Sequence, residues 1–145
     1  MREILFRGKT PSQDEHFDDG EWVQGFYTCF NGKEHRIYNR YAETDCGDYY
    51  PDWFNVRPET VGQYTGLTDK NGKKIFEGDI LSFSDRLVYV NWHNYCGCWD
   101  CSYIKAVKGK ATLHEDRSPN KWRYNAVVIG NIHDNPELLK GGEQE

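Results

Sequence analysis

Four soft or borderline metal donors, His93, Cys96, Cys98 and Cys101, fall within nine residues, the tightest chemical grouping in the chain. Cys98-Trp99-Asp100-Cys101 has the two-residue spacing of zinc knuckles, in which thiolates and imidazoles complete a tetrahedron. A structural zinc site joins two such pairs from separate segments, and the other cysteines, Cys29 and Cys46, are isolated from each other. On an extended strand Cys96 and Cys98 point to one face and Cys101 to the other. The four are candidate metal ligands, but the default is a hairpin rim with incidental thiols and no bound metal or cofactor.

Other chemistries meet similar tests. Placing Gly72 at the sixth position of a calcium-binding EF-hand loop puts Leu67 and Gly78 where carboxylates are required, so that reading fails. A cysteine nucleophile has His93, His114 or His133 as candidate bases, yet no nucleophile elbow or cysteine-protease signature surrounds any of them. Gly62 and Gly66 stand alone, with no phosphate-binding pattern. No catalytic residues emerge, and the chain is expected not to be an enzyme.

Residues 105 to 123 carry Lys105, Lys108, Lys110, Arg117, Lys121 and Arg123 against Glu115 and Asp116, a local balance of +4 bordered by Tyr103 and Trp122. Cations that track phosphates beside aromatics that stack bases would suit single-stranded nucleic acid. The formal net charge of -5 opposes it, with residues 1 to 57 contributing -4. On average such a surface repels polyanions. A solvated connection flanked by core aromatics is the preferred reading.

The elements that would position these groups are mostly strands. Aromatics make up 15% of 145 residues, with 14 Gly and one Met, a mixture that favours turn-rich β-structure over a helical bundle. Strands are expected at Ile4–Arg7, Glu21–Tyr27, Trp53–Arg57, Leu87–Trp92 and Ser102–Val107. The acidic stretch 13–20 reads as a solvated loop, and 28–52, of weak periodicity, as either a long excursion or irregular connections around one short strand near Arg36-Ile37-Tyr38. Asp69-Lys70-Asn71-Gly72 is a hairpin tip and Glu77-Gly78-Asp79 a second tight turn, feeding the apolar Ile80-Leu81. Trp122 to Ile132 is the longest β-like run, with Ala126 to Ile129 continuous enough for burial on both faces near the core's centre. Asn135-Pro136-Glu137 opens one short helical turn, and the end, 141–145, should fray. The Met1–Lys9 opening lacks the apolar core of a signal peptide, and no run approaches a membrane span. An intracellular, cytoplasmic location with reduced thiols is therefore expected.

Several separated segments resemble one family, the YopX-like proteins of phages and prophages. They are Met1 to Lys9, Gly20-Glu21-Trp22-Val23-Gln24-Gly25, Glu59 to Leu81, and Val128-Ile129-Gly130-Asn131-Ile132-His133-Asp134-Asn135-Pro136-Glu137-Leu138-Leu139. The resemblance implies a phage-derived protein occupying 1–145 as one β-rich α+β domain with little helix. Within it, 1–57 would be an N-terminal β and loop portion and 58–140 an SH3-like barrel. It carries over no catalytic residues. The expected function is a non-enzymatic interaction module that binds a protein partner or itself, with nucleic-acid and zinc binding as the competing readings.

Overall fold

In the computed structural model the chain divides into two compact units, Met1–Gln63 and Tyr64–Glu145. The structure describes residues 3–12, 20–83, 86–95, 97–103 and 126–140. The mainly β expectation holds: the described strands form two antiparallel sheets. The closed SH3-like barrel does not, because neither sheet pairs its edges with each other.

The first unit is a meander of β1 (Phe6–Lys9), β2 (Trp22–Phe30), β3 (Glu34–Glu43) and β4 (Tyr49–Asn55), in the order β4-β3-β2-β1. The opening residues of β5 (Gly62–Thr68) pair with the outer side of β1, Gln63 against Phe6 and Gly62 against Arg7. The strand expected near Arg36-Ile37-Tyr38 is present as part of the ten-residue β3, but residues 28–52 as a whole form paired hairpin strands in place of an excursion or irregular connections. The turn responsible is Asn31-Gly32, both at positive φ, with Lys33 N–H donating to Phe30 O at 3.0 Å. An Asn-Gly pair matches the right-handed twist of the strands it joins.

Side chains alternate between two faces along these strands. Val23, Ile37 and Val56 form the core of the unit, with Tyr27, Phe54 and Val61 packed against them. Close approach explains two glycines. A Cβ on Gly8 would stand 3.0 Å from Val56 Cβ, and one on Gly25 would stand 2.3 Å from Tyr38 O. At the sheet's margin Lys9 N–H donates to Thr60 Oγ1 at 2.8 Å, Thr60 Oγ1 donates to Arg57 O, and Arg57 N–H returns to Lys9 O. These bonds tie the 3-10 turn Pro58–Thr60 to β1.

In the second unit the rest of β5 pairs with β6 (Lys74–Phe76). A four-stranded sheet has the order β10-β7-β8-β9, from β7 (Asp79–Phe83), β8 (Arg86–His93), β9 (Cys98–Tyr103) and β10 (Val127–Asn131). Its core gathers Ile75, Leu81, Val88, Val90, Cys101 and Ala126. Strand β9 begins four residues before the expected Ser102 because Trp99 and Cys101 alternate into that core. Strand β10 corrects a second expectation. Among the described residues it pairs only with β7, so it is an edge, and a register shift between Val128 and Gly130 leaves Ile129 exposed instead of buried. Edge strands commonly carry such bulges. The expected final turn is present as a 3-10 segment, Pro136–Lys140, with Leu138 N–H on Asn135 O.

Asp69 holds the turn of the β5–β6 hairpin and is 4% exposed. Its Oδ1 accepts from the N–H groups of Asn71 and Lys73 at 2.8 and 2.9 Å, and its Oδ2 accepts from Val128 N–H, 59 residues away, at 3.0 Å. Burial alone would raise its pKa. The bonds from Val128, Lys73 and Asn71, with the Lys73 charge, outweigh burial and hold the carboxyl below its ordinary value. Such a group stabilises the fold fully above its unfolded pKa, near 3.9, and loses that contribution as pH falls through the lower folded value. Asp69→Asn would turn an amide NH2 toward Val128 N–H, at a cost of about 2 kcal/mol at neutral pH. Urea denaturation should show that difference constant above about pH 5 and shrinking as pH falls below the unfolded carboxyl value.

Candidate functional site

The block Thr65 to Asp79 spends its polar groups on its own backbone. Thr65 Oγ1 donates to Ile75 O at 2.8 Å and accepts from Leu67 N–H at 3.1 Å, beside a bulge at Gly66, whose φ is 86°. Buried Asp79 accepts from Phe76 N–H at 2.8 Å, and Gly78, at φ 88°, donates to Val90 O. The Gly130 to Glu137 block behaves alike. Asn131 Oδ1 accepts from the N–H groups of His133 and Asp134, while Asn135 Oδ1 accepts from Asn131 N–H. These acids and amides hold corners.

The thiol cluster is only partly within view. Strands β8 and β9 pair His93 with Cys98, while Cys96 lies outside the described residues. Cys98 is half-buried, and Cys101, 3% exposed, turns to the opposite face into the apolar core. Among the described residues no three His, Cys, Asp or Glu side chains gather around a point where an ion could sit. The basic candidates Lys105, Lys108, Lys110, Arg117, Lys121 and Arg123 lie outside the described residues, as does His114. His133 sits in the turn after β10.

Two arrangements on the β2–β3 hairpin join residues that no motif in the sequence links. The first is its outer face, opposite the core. Phe26 faces Tyr38, Thr28 faces Arg36, and Tyr38 faces Trp53 on the next strand. The Arg36 guanidinium lies over Trp53 at 4.4 Å and over Phe30 at 5.3 Å, and it reaches Glu34 at 3.4 Å. On the other face, the one that carries Ile37 and Phe54, Arg40 lies over Phe54 at 4.2 Å and bonds Asp52 at 2.7 Å. Stacking and ion pairing at one side chain fix each arginine against its own face of the sheet. On the outer face Phe26, Tyr41 and Tyr49 stand 71, 73 and 70% exposed. Phe26, Thr28, Tyr38, Arg40, Tyr41 and Pro51 line a hollow of about 510 Å³.

The second arrangement is on the core face, where that face reaches solvent. Cys29 opposes His35 across the strands, and Tyr27 lies one step further in. His35 Nδ1 is 2.6 Å from the Tyr27 hydroxyl, and its Nε2 is 3.9 Å from Cys29 Sγ. Nothing in the local sequence around His35 marks it as a base. The Asn31-Gly32 turn signal, which sets the register that joins it to Cys29, was in plain view.

No helix among the described residues is long and apolar enough to cross a membrane. No curated protein matches the chain. A solved structure, protein EF1440 from Enterococcus faecalis, is similar in fold, with a TM-score of 0.53 at 23% identity over 96% of this chain and 99% of that one. The family model described as YopX protein matches residues 6–140, spanning the same glycine, Asx and threonine corners that the structure shows at work, and the chain belongs to the YopX family.

Proposed function

We propose that this chain is a phage- or prophage-encoded interaction module of the cytoplasm that catalyses no reaction. It docks a basic, partly apolar segment of a partner protein on the outer face of β2, β3 and β4. The observation that carries this reading is the exposure of Phe26, Tyr41 and Tyr49 on one sheet face around a hollow. Rigid aromatics of this kind give contact area at low entropic cost and are enriched at protein interfaces.

Charge selects the partner. Residues 1 to 57 carry a balance of -4, and Glu43, Asp45 and Asp48 are exposed around the turn that joins β3 to β4. Arg36, the arginine of that face, is already engaged with Glu34 and stacked on Trp53 and Phe30, which leaves it a poor tracker of phosphate. A second copy of a chain with net charge -5 would bring like charges together. A basic protein segment meets both conditions.

If the outer aromatics serve binding, the fold should not need them. Phe26→Ser and Tyr41→Ser should each change unfolding free energy by no more than about 0.5 kcal/mol. Ile37→Ala, in the core of the same sheet, should cost about 3 kcal/mol by urea denaturation. A displayed random-peptide library panned on the wild-type protein should enrich basic sequences with apolar residues, and the Phe26→Ser/Tyr41→Ser double variant should enrich none. Enrichment of acidic sequences, or equal enrichment by the variant, would overturn the reading. So would salt-sensitive binding of single-stranded DNA or RNA oligonucleotides by the wild type, which would favour the basic segment 105–123 instead.

A further inference from the structure

We propose that Cys29 is a reactive thiol, activated by His35 and held ready by Tyr27, that forms mixed disulfides with low-molecular-weight disulfides. The site lies on the face opposite the docking surface, and it stands independently of that proposal.

The geometry has three parts. A nucleophile needs a base within reach, and the Cys29 Sγ to His35 Nε2 distance of 3.9 Å is within sulfur hydrogen-bonding range. The base needs a fixed ring, and His35 has one. Its Nδ1 meets the Tyr27 hydroxyl at 2.6 Å, the two rings stack at 6.0 Å between centroids, and its backbone O accepts from Val56 N–H at 3.0 Å. The orienting group needs an anchor, and Tyr27 packs on Phe6 at 5.6 Å and on the core of Val23, Ile37 and Val56. Burial and the adjacent Cys29 sulfur raise the Tyr27 pKa, so its phenol remains protonated beside the imidazole. Cys29 itself is exposed. The thiol is thus open to solvent at the end of a chain of contacts rooted in the core.

The reaction balances without any further reagent. With Nδ1–H donated to the Tyr27 oxygen, Nε2 takes the thiol proton. The Cys29 thiolate attacks one sulfur of the small disulfide, a new S–S bond forms to Cys29, and the reagent's own S–S bond breaks. The departing thiolate takes the proton back from Nε2 and leaves as a thiol. Any free thiol reverses the exchange by the same path.

Two other cysteines provide internal controls. Cys46 is also exposed, in the turn between β3 and β4, and among the described residues no histidine stands across a strand from it. Cys101 is buried, so its modification would report unfolding. The experiment treats the full chain with limiting oxidised glutathione at neutral pH and follows each cysteine by peptide mass mapping. Cys29 should react about ten times faster than Cys46, which among the described residues has no histidine across a strand to take its proton. His35→Gln should bring Cys29 to the rate of Cys46, and Tyr27→Phe, which keeps the ring packing, should slow it several-fold, with Cys101 unmodified in both. Equal rates at Cys29 and Cys46 in the wild type would overturn the proposal. So would an undiminished Cys29 rate in both folded variants.

Discussion

The interaction on which the rest of this structure depends is a side-chain oxygen accepting from a backbone N–H at a corner. Short strands joined by sharp turns leave peptide groups that no ladder can pair, and a buried unpaired group costs as much as a lost hydrogen bond. Thr10 answers this at Glu21, Thr60 at Lys9, Thr65 at Leu67, Asp79 at Phe76, and Asn131 and Asn135 at the turn after β10. Asp69 does most, because one carboxylate serves a local turn and a strand 59 residues away. Its charge makes each of those bonds stronger than a neutral one.

Those corners free the strands between them to present two different faces. In the first unit the period-2 alternation sends Val23, Ile37 and Val56 into a core and Phe26, Arg36 and Tyr38 to the other side. The outer face is not simply polar. Its Arg36 is stacked on Trp53 and Phe30 and paired with Glu34, so the sheet presents a firm aromatic surface with exposed tyrosines at one end. The core face runs out at the hairpin's end, and there Cys29, His35 and Tyr27 come together. A single register sets both arrangements, because slipping it by one residue would exchange the faces.

Much of the fold was legible in particular residues. Asp69, Asn71 and Gly72 declared a hairpin tip through their turn chemistry, and Val88, Val90 and Trp92 declared a strand through their spacing, as found. The Asn135-Pro136 start of the last turn was equally plain. Residues 28–52 show only a short strand near Arg36 to Tyr38 in the sequence because their outward positions are aromatic as well, which hides the alternation that marks a half-buried strand. The run Ala126 to Ile129 misled for the opposite reason. Its continuous apolar character described an interior strand, whereas a bulge at an edge can carry the same residues and expose one of them.

The sequence by itself determined the local conformations, since turn preference and strand alternation act between residues a few positions apart. It also determined membership of the YopX family, which rests on the order of those same local signals. Only the tertiary structure decided which side chains meet. Cross-strand register placed His35 against Cys29, left Cys98 and Cys101 on opposite faces of β9, and laid Arg36 over Trp53. The physical reason is that strand pairing is settled by the packing of whole faces against a core, a property of many residues at once that no short stretch of chain contains.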